Sequence, residues 1–221
     1  MEGIMKFFSK IISTLTLWMY QKEWEALQAS LNCVYTSYLR KGNDRPSVLA
    51  QQLLISGEDH RFFSHGGVDL IAVLRAAWRT VVRKRLEGAS TIEMQIVRVV
   101  TGRFERTLQR KAKEMCMATL VTRVIPKSEL PSVYLHIAYY GWRMNSFNAA
   151  STHLKLRSDN ITPIETAKLV ARLKYPQPRT PSATRQQQIA IRANHLLALQ
   201  KQHKVGYIYN GIPSKANYAA I

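Results

Sequence analysis

The chain has 221 residues, 46% of them hydrophobic, which is enough for a buried core and argues against an intrinsically disordered protein. Its 32 Lys+Arg against 14 Asp+Glu give +18, a surplus that points to an anionic partner: nucleic acid, anionic lipid headgroups or a phosphorylated substrate. Two cysteines, Cys33 and Cys116, are too few for a disulfide framework or a cysteine zinc site and read as structural thiols.

At the N-terminus, Ile4, Phe7, Phe8, Ile11, Ile12, Leu15, Trp18 and Met19 recur at helical spacing, with Lys6, Lys10, Ser13 and Thr14 away from them. This is an amphipathic helix with a basic polar side, suited to lying in a membrane interface. The longest uncharged run, Ile11 to Tyr20, is half the roughly 20 residues that span a bilayer. A helix packed on its own domain and a short membrane anchor are the alternatives. No small-residue cleavage site follows, so the stretch is not read as a removed signal peptide.

Pro46 suits the first position of a helix running toward Ser56. Leu70, Ile71, Leu74, Ala77, Trp78 and Val81 form the apolar stripe of the next helix, with Asp69 near its start. Arg83-Lys84-Arg85 closes that helix and Gly88 breaks the pattern. Phe104 to Arg123 reads as one long helix, stopped before Pro126. Thr162-Pro163-Ile164-Glu165 is a capping box with proline at the first helical position, ahead of Ala167, Leu169, Val170 and Leu173. Tyr175 to Pro181 is extended, a last helix covers Thr184 to Gln202, and Gly206 to Ile212 is a weak strand candidate. The expected fold is all-α: an N-terminal amphipathic or membrane-anchoring helix over 1–30, a domain over 45–203 and a tail over 204–221.

Three polar blocks stand out. The first, Glu58 to Gly67, places a carboxylate at a helix end among Phe62, Phe63 and His65. Partial desolvation there would raise the carboxyl toward a useful base, although a solvated Glu58 with Asp59 as a cap explains the same residues. The second, Gly88 to Arg98, opens a helix with Ser90 and Thr91, exposing backbone N–H groups to an anion or a sugar; a plain helix cap reads the same way. The third, Arg106 to Glu114, sets Arg106, Arg110 and Glu114 at i, i+4 and i+8 on one helix face, either as a solvated ion-pair row or as a phosphate clamp.

In this order and spacing the blocks resemble the peptidoglycan glycosyltransferases, the family-51 enzymes found alone or as the N-terminal domain of bifunctional penicillin-binding proteins. The resemblance covers about Pro46 to Leu197. Its first motif is carried by Glu58-Asp59, Phe62, His65 and Gly67, and its second by Gly88, Ser90, Thr91, Ile92 and Gln95. Arg110-Lys111 and Glu114 carry the third, Lys127, Tyr134-Leu135 and Gly141 the fourth, and Arg192 is the counterpart of the fifth.

The resemblance implies a lysozyme-like helical domain of the monofunctional type that polymerises lipid II on the outer, periplasmic face of the bacterial inner membrane. Glu58 matches an unpaired general base and Glu114 a second catalytic carboxylate. Asp59, Phe62, His65, Ser90, Thr91 and Gln95 match substrate-binding positions, and Arg98, Arg106, Arg110 and Lys111 match cations on the donor pyrophosphate. Partners implied are lipid II, the growing glycan strand, the membrane and cell-wall synthesis proteins, with no nucleic acid. No metal-ligand set is assigned and no cofactor is certain; Mg2+ or Mn2+ oriented by Glu114 is the one candidate.

The chain departs from the family pattern at several positions. Met94 stands where a glutamine is usual and His136 where an asparagine is usual. Trp142-Arg143-Met144-Asn145-Ser146 follows Gly141 where further glycines and acids are common. The competing functions are a weak or inactive member that binds lipid II, a lysozyme-like lytic enzyme, and a basic helical nucleic-acid binder. No helix-turn-helix pattern or aromatic stacking array supports the last.

Overall fold

The computed structural model describes all residues except 1, 41, 43–44, 84–87, 157–160, 205–207, 210 and 213–221; the side chains of 2–8 and Arg83 also lie outside the description. The described residues are all-α, with β-pairing limited to isolated bridges at Gly141. They form two compact units, one of residues 1–33 and 61–127, the other of residues 34–60 and 128–221.

The first unit begins with α1 (Glu2–Leu39), which runs on into the second unit. It breaks at Tyr20 (φ −134°, ψ 36°). No proline or glycine marks the break. A tertiary contact does: Lys113 Nζ lies 5.0 Å over the Tyr20 ring and 2.7 Å from Glu23 Oε1. Beyond the break, Trp24, Leu27 and Leu31 are buried. Before it the orientation is inverted: Ser13 and Thr16 are buried, whereas Ile11, Leu15, Trp18 and Met19 are exposed, Trp18 by 84%. Ile4, Lys6, Phe7 and Phe8 fall outside the described side chains.

α3 (Leu70–Arg83) follows the predicted helix, with Asp69 Oδ1 accepting from Ile71 N and Ala72 N. Its large apolar stripe does not face the core, however. Ala72 and Ala76 are the buried positions, while Leu74, Trp78, Val81 and Val82 are exposed. Periodicity marks a face but carries no sign for what the face meets. Of the basic cluster expected to close this helix, Lys84 and Arg85 and the Arg83 side chain lie outside the described residues.

α4 (Ile92–Thr101) starts where expected: Thr91 is the N-cap, and Gly102 in the left-handed region ends it. The long helix expected from Phe104 is shorter. α5 (Leu108–Ala118) is capped by the Thr107 side chain on Arg110 N, and a 3-10 turn over Val121–Arg123 follows. Phe104, Glu105 and Arg106 therefore precede the helix, and Phe104 and Leu108 are exposed. The cap satisfies an orphan N–H and is worth about 1 kcal/mol, which fixes the start at Thr107.

In the second unit α2 (Val48–Glu58) takes its N-cap from Ser47, two residues later than a start at Pro46. α6 (Leu130–Ile137) and α7 (Phe147–His153) are short helices that periodicity does not mark. α8 (Pro163–Ala171) carries the expected capping box, with Thr162 and Glu165 bonding reciprocally. α9 (Ala183–Lys204) packs on both α8 and α2. Ile189, Ala193 and Leu196 of α9 are buried, as are Leu53 and Leu54 of α2 and Leu169 and Val170 of α8. Of the strand candidate Gly206 to Ile212, the described residues Ile208, Tyr209, Gly211 and Ile212 stand in turns, and Gly206, Tyr207 and Asn210 lie outside the described residues.

Candidate functional site

In the first unit one carboxylate organises the cations. Glu114, on α5 and 3% exposed at its side chain, accepts from Arg98 Nε at 3.0 Å and Arg98 Nη2 at 2.8 Å. It accepts from Lys111 Nζ at 2.8 Å and also from Arg110 Nη1. Lys111 and Arg110 reach it because i,i+3 and i,i+4 neighbours share a helix face. Arg98 comes from the last turn of α4 and makes a two-pronged pair of the kind only a guanidinium can. Ser90 Oγ joins the cluster by accepting from Lys111 Nζ at 2.8 Å and from Arg98 Nη2 at 3.4 Å.

Burial pushes the Glu114 carboxyl up, but hydrogen bonds and charge from Arg98 and Lys111 outweigh it and hold the group below its usual range. Burial pulls the Lys111 ammonium down, and Glu114 offsets only part of that. Three cations around one anion leave a surplus of two positive charges. A cavity of about 320 Å3 opens beside the cluster, with Arg98, Arg103, Arg110, Lys113, Glu23 and Met117 in its lining. The arrangement can hold a multiply charged anion.

It does not suit a divalent cation. A carboxylate offers about four lone-pair sites, and the four donors already fill them on Glu114. An Mg2+ or Mn2+ ion would also stand among three positive charges. Arg106 is exposed and lies before Thr107, so it shares no helix face with Arg110 and Glu114; the cap one residue later is the reason.

Phe62, His65 and Thr91 are buried together at the start of α4. Thr91 Oγ1 donates to Gly67 O at 2.6 Å while accepting from Met94 N, so its hydroxyl is engaged inside the fold. Gly67 has φ +106°, and a Cβ there would strike the Ala118 carbonyl, which is why only glycine fits the turn. Gly67 N donates to His65 Nδ1 at 3.2 Å, and the Phe62 ring stacks edge-on to Phe63 and His65. Lys127 Nζ lies 3.9 Å over the Phe62 ring and donates to Glu93 Oε1. Glu93 is fully buried and is a member that sequence reasoning missed; its partner is 34 residues away and leaves no local signal. Gln95 is half-buried on the same helix.

In the second unit Glu58 is the last residue of α2, and Asp59, largely buried, is the C-cap. Glu58 is not unpaired. Arg192 of α9 donates from Nη2 to Glu58 Oε1 at 3.0 Å and to Gly57 O at 2.8 Å. Gly57 permits this, since a Cβ there would collide with the Leu196 side chain and crowd the Arg192 guanidinium. The carboxylate is thus oriented by a fixed cation, with its side chain 27% exposed. The departures from the family pattern have plain structural places as well. Met94 is fully buried in the core, and His136 meets the Tyr38 ring edge-on at 5.9 Å.

Comparison with known proteins gives the chain a family. A family model described as "Transglycosylase" matches residues 35–201. Penicillin-binding protein 1A of Rickettsia typhi is 29% identical over 171 residues, covering 75% of this chain and 21% of that protein. A protein of Cupriavidus necator named as a candidate transglycosylase is 31% identical over 163 residues, covering 72% of this chain and 68% of its own. A monofunctional glycosyltransferase of Staphylococcus aureus is 35% identical over 99 residues, covering 45% of this chain and 37% of that protein. The chain spans about a fifth of the length of the Rickettsia relatives it matches. The family match takes in Glu58, the Glu114 cluster and Arg192, and the chain belongs to the transglycosylase family.

Proposed function

We propose that the protein is an inverting peptidoglycan glycosyltransferase that extends glycan strands from lipid II. The observation that carries this reading is the surplus of cations built around Glu114, which a pyrophosphate leaving group needs and a hydrolase cutting glycan has no use for. Arg98, Arg106, Arg110 and Lys111 take the donor pyrophosphate, and Glu114 holds three of these cations in place. Glu58, oriented by Arg192, is the general base. The acceptor 4-hydroxyl oxygen attacks C1 of the donor sugar, its proton passes to Glu58, and the C1–O bond to pyrophosphate breaks with its electron pair. Attack opposite the leaving group converts an α-linked donor into a β1→4 bond. Ser90 and Gln95 assist at the sugar, and Asp59, Phe62, His65 and Thr91 are further substrate-binding positions in this reading.

The same reading puts the protein at the inner membrane with its catalytic residues on the outer face. Among the described residues no helix is long and apolar enough to cross a membrane. What supports membrane contact is the first unit's exposed apolar surface on α1 and α3, within a chain of +18 charge.

The test is incubation of the purified protein with labelled lipid II and sizing of the product, for the wild type and Glu58→Gln. Polymer from the wild type and a loss of about 10² to 10⁴ in rate for Glu58→Gln are expected. Binding without polymer would favour a non-catalytic member, and shortening of preformed glycan would favour a lytic one.

A further inference from the structure

The second unit carries a row of arginines that the proposed reaction does not use. Trp142 lies under two guanidiniums, with Arg143 Cζ 4.4 Å and Arg179 Cζ 5.4 Å from its ring centroid. Arg185 Cζ lies 5.8 Å over the Tyr175 ring. Among the described residues no carboxylate pairs with Arg143, Arg179 or Arg185. Backbone hydrogen bonds tie down the segments that carry Arg143 and Arg179. Arg143 sits in the left-handed region (φ +60°), in a turn closed by Tyr140 N to Met144 O at 2.8 Å. That conformation costs a non-glycine residue of order 1 kcal/mol, and it presents an arginine. Trp142 N donates to Gln177 O at 2.8 Å, which ties the turn to the Pro176–Pro181 segment that bears Arg179. Stacking on rings pre-orders guanidiniums that already fit carboxylates two-pronged.

One of the three arginines lies on the helix that holds the proposed base. Arg185 and Arg192 are both on α9, seven residues apart, which is almost two turns and about 10 Å along one helix face. Arg192 is the residue that holds Glu58.

We propose that Arg143, Arg179 and Arg185 bind the free carboxylates of the peptide carried by the acceptor glycan, so that the protein selects acceptors with an acidic peptide. The proposal rests on the glycosyltransferase reading of Glu58. It makes the row a specificity site for the peptide rather than for the sugars or the pyrophosphate.

The test has two arms. In the first, a fluorescent soluble disaccharide-peptide with free carboxylates is titrated against the protein, beside the same molecule with its carboxylates amidated. The free acid is expected to bind about five- to tenfold more tightly, and Arg143→Ala/Arg179→Ala to lose that preference. Arg143→Lys should lose less, because it keeps charge without the fork. In the second arm, kcat/KM is measured for lipid II with free and with amidated peptide. Their ratio should fall from about five or ten toward one in the double variant, through KM rather than kcat. Equal binding of both probes by the wild type overturns the proposal, as does an unchanged preference in a double variant that melts normally. Displacement of the probe by an oligonucleotide but not by the unlabelled free acid also overturns it. If no lipid II is polymerised while the free-acid preference holds, the glycosyltransferase reading fails and the acidic-peptide site stands.

Discussion

Arg192 and Glu58, 134 residues apart in the chain, meet at 3.0 Å, and the same guanidinium nitrogen holds the carbonyl of Gly57. A carboxylate at a helix end would otherwise choose among rotamers, whereas this one has a fixed position and a permanent counter-charge. Arg192 is a positioning residue in the proposed chemistry. Arg192→Ala should lower kcat by about 10- to 100-fold with KM within threefold, since misplacing a reacting group by about 1 Å has that scale of effect. Arg192→Lys should recover only part of it. Initial rates of polymerisation and melting curves on the same samples separate the possibilities: a lowered melting temperature with unchanged kcat would confine Arg192 to structure.

Lys127 and Glu93 form a pair in which the carboxylate is fully buried and the ammonium 23% exposed at its side chain. Removing one partner strands a buried charge. Lys127→Met should therefore cost about 3 kcal/mol or more of unfolding free energy. Lys127→Met/Glu93→Gln should cost less than the sum of the single changes, because it removes both charges together. Denaturant unfolding of the four proteins gives the coupling directly. Additive losses would mean that the two side chains do not depend on each other.

Glu114 has a folded-state carboxyl below its ordinary value, so the unfolded chain binds the proton more readily. The stabilisation is complete above the unfolded value of about 4.3 and is lost as pH falls through the depressed folded one. The wild type should lose melting temperature steeply below about pH 4.3, and Glu114→Gln less steeply across the same range. Melting scans from neutral pH into acid measure the two slopes. Parallel curves would show that Glu114 makes no net contribution through its charge.

Trp18 on α1 and Trp78 on α3 belong to the two exposed apolar faces of the first unit. If both faces enter a bilayer interface, Trp18→Ser/Trp78→Ser should weaken binding to phosphatidylglycerol vesicles by tenfold or more. Burying one large side chain is worth about 1.5–3 kcal/mol. Co-sedimentation at two salt concentrations tests this, and the basic surplus should make the remaining binding salt-sensitive. Unchanged sedimentation of the double variant would refer these faces to another role.

Local chemistry was legible in the residues themselves. Thr162-Pro163-Ile164-Glu165 builds its capping box, and Thr91 starts α4 where Ser-Thr follows glycine. Arg110, Lys111 and Glu114 meet because one helical turn brings them together. The differences are local in origin as well. Thr107 is as good a cap as any serine or threonine, but the helical pattern from Phe104 runs on through it, and Arg106 lies ahead of α5 rather than on it.

The sequence by itself determined the all-α class, the caps, and the order of the motifs that identify the family, since each depends on backbone geometry over a few residues. The tertiary structure alone decided which long-range partners those motifs acquire: Arg192 for Glu58, Lys127 for Glu93, and Arg98 as the third cation on Glu114. It also decided that the stripe Leu74–Trp78–Val81 faces outward. Helical periodicity shows that a face is apolar, but only the packing of neighbouring elements determines whether that face is covered by the protein.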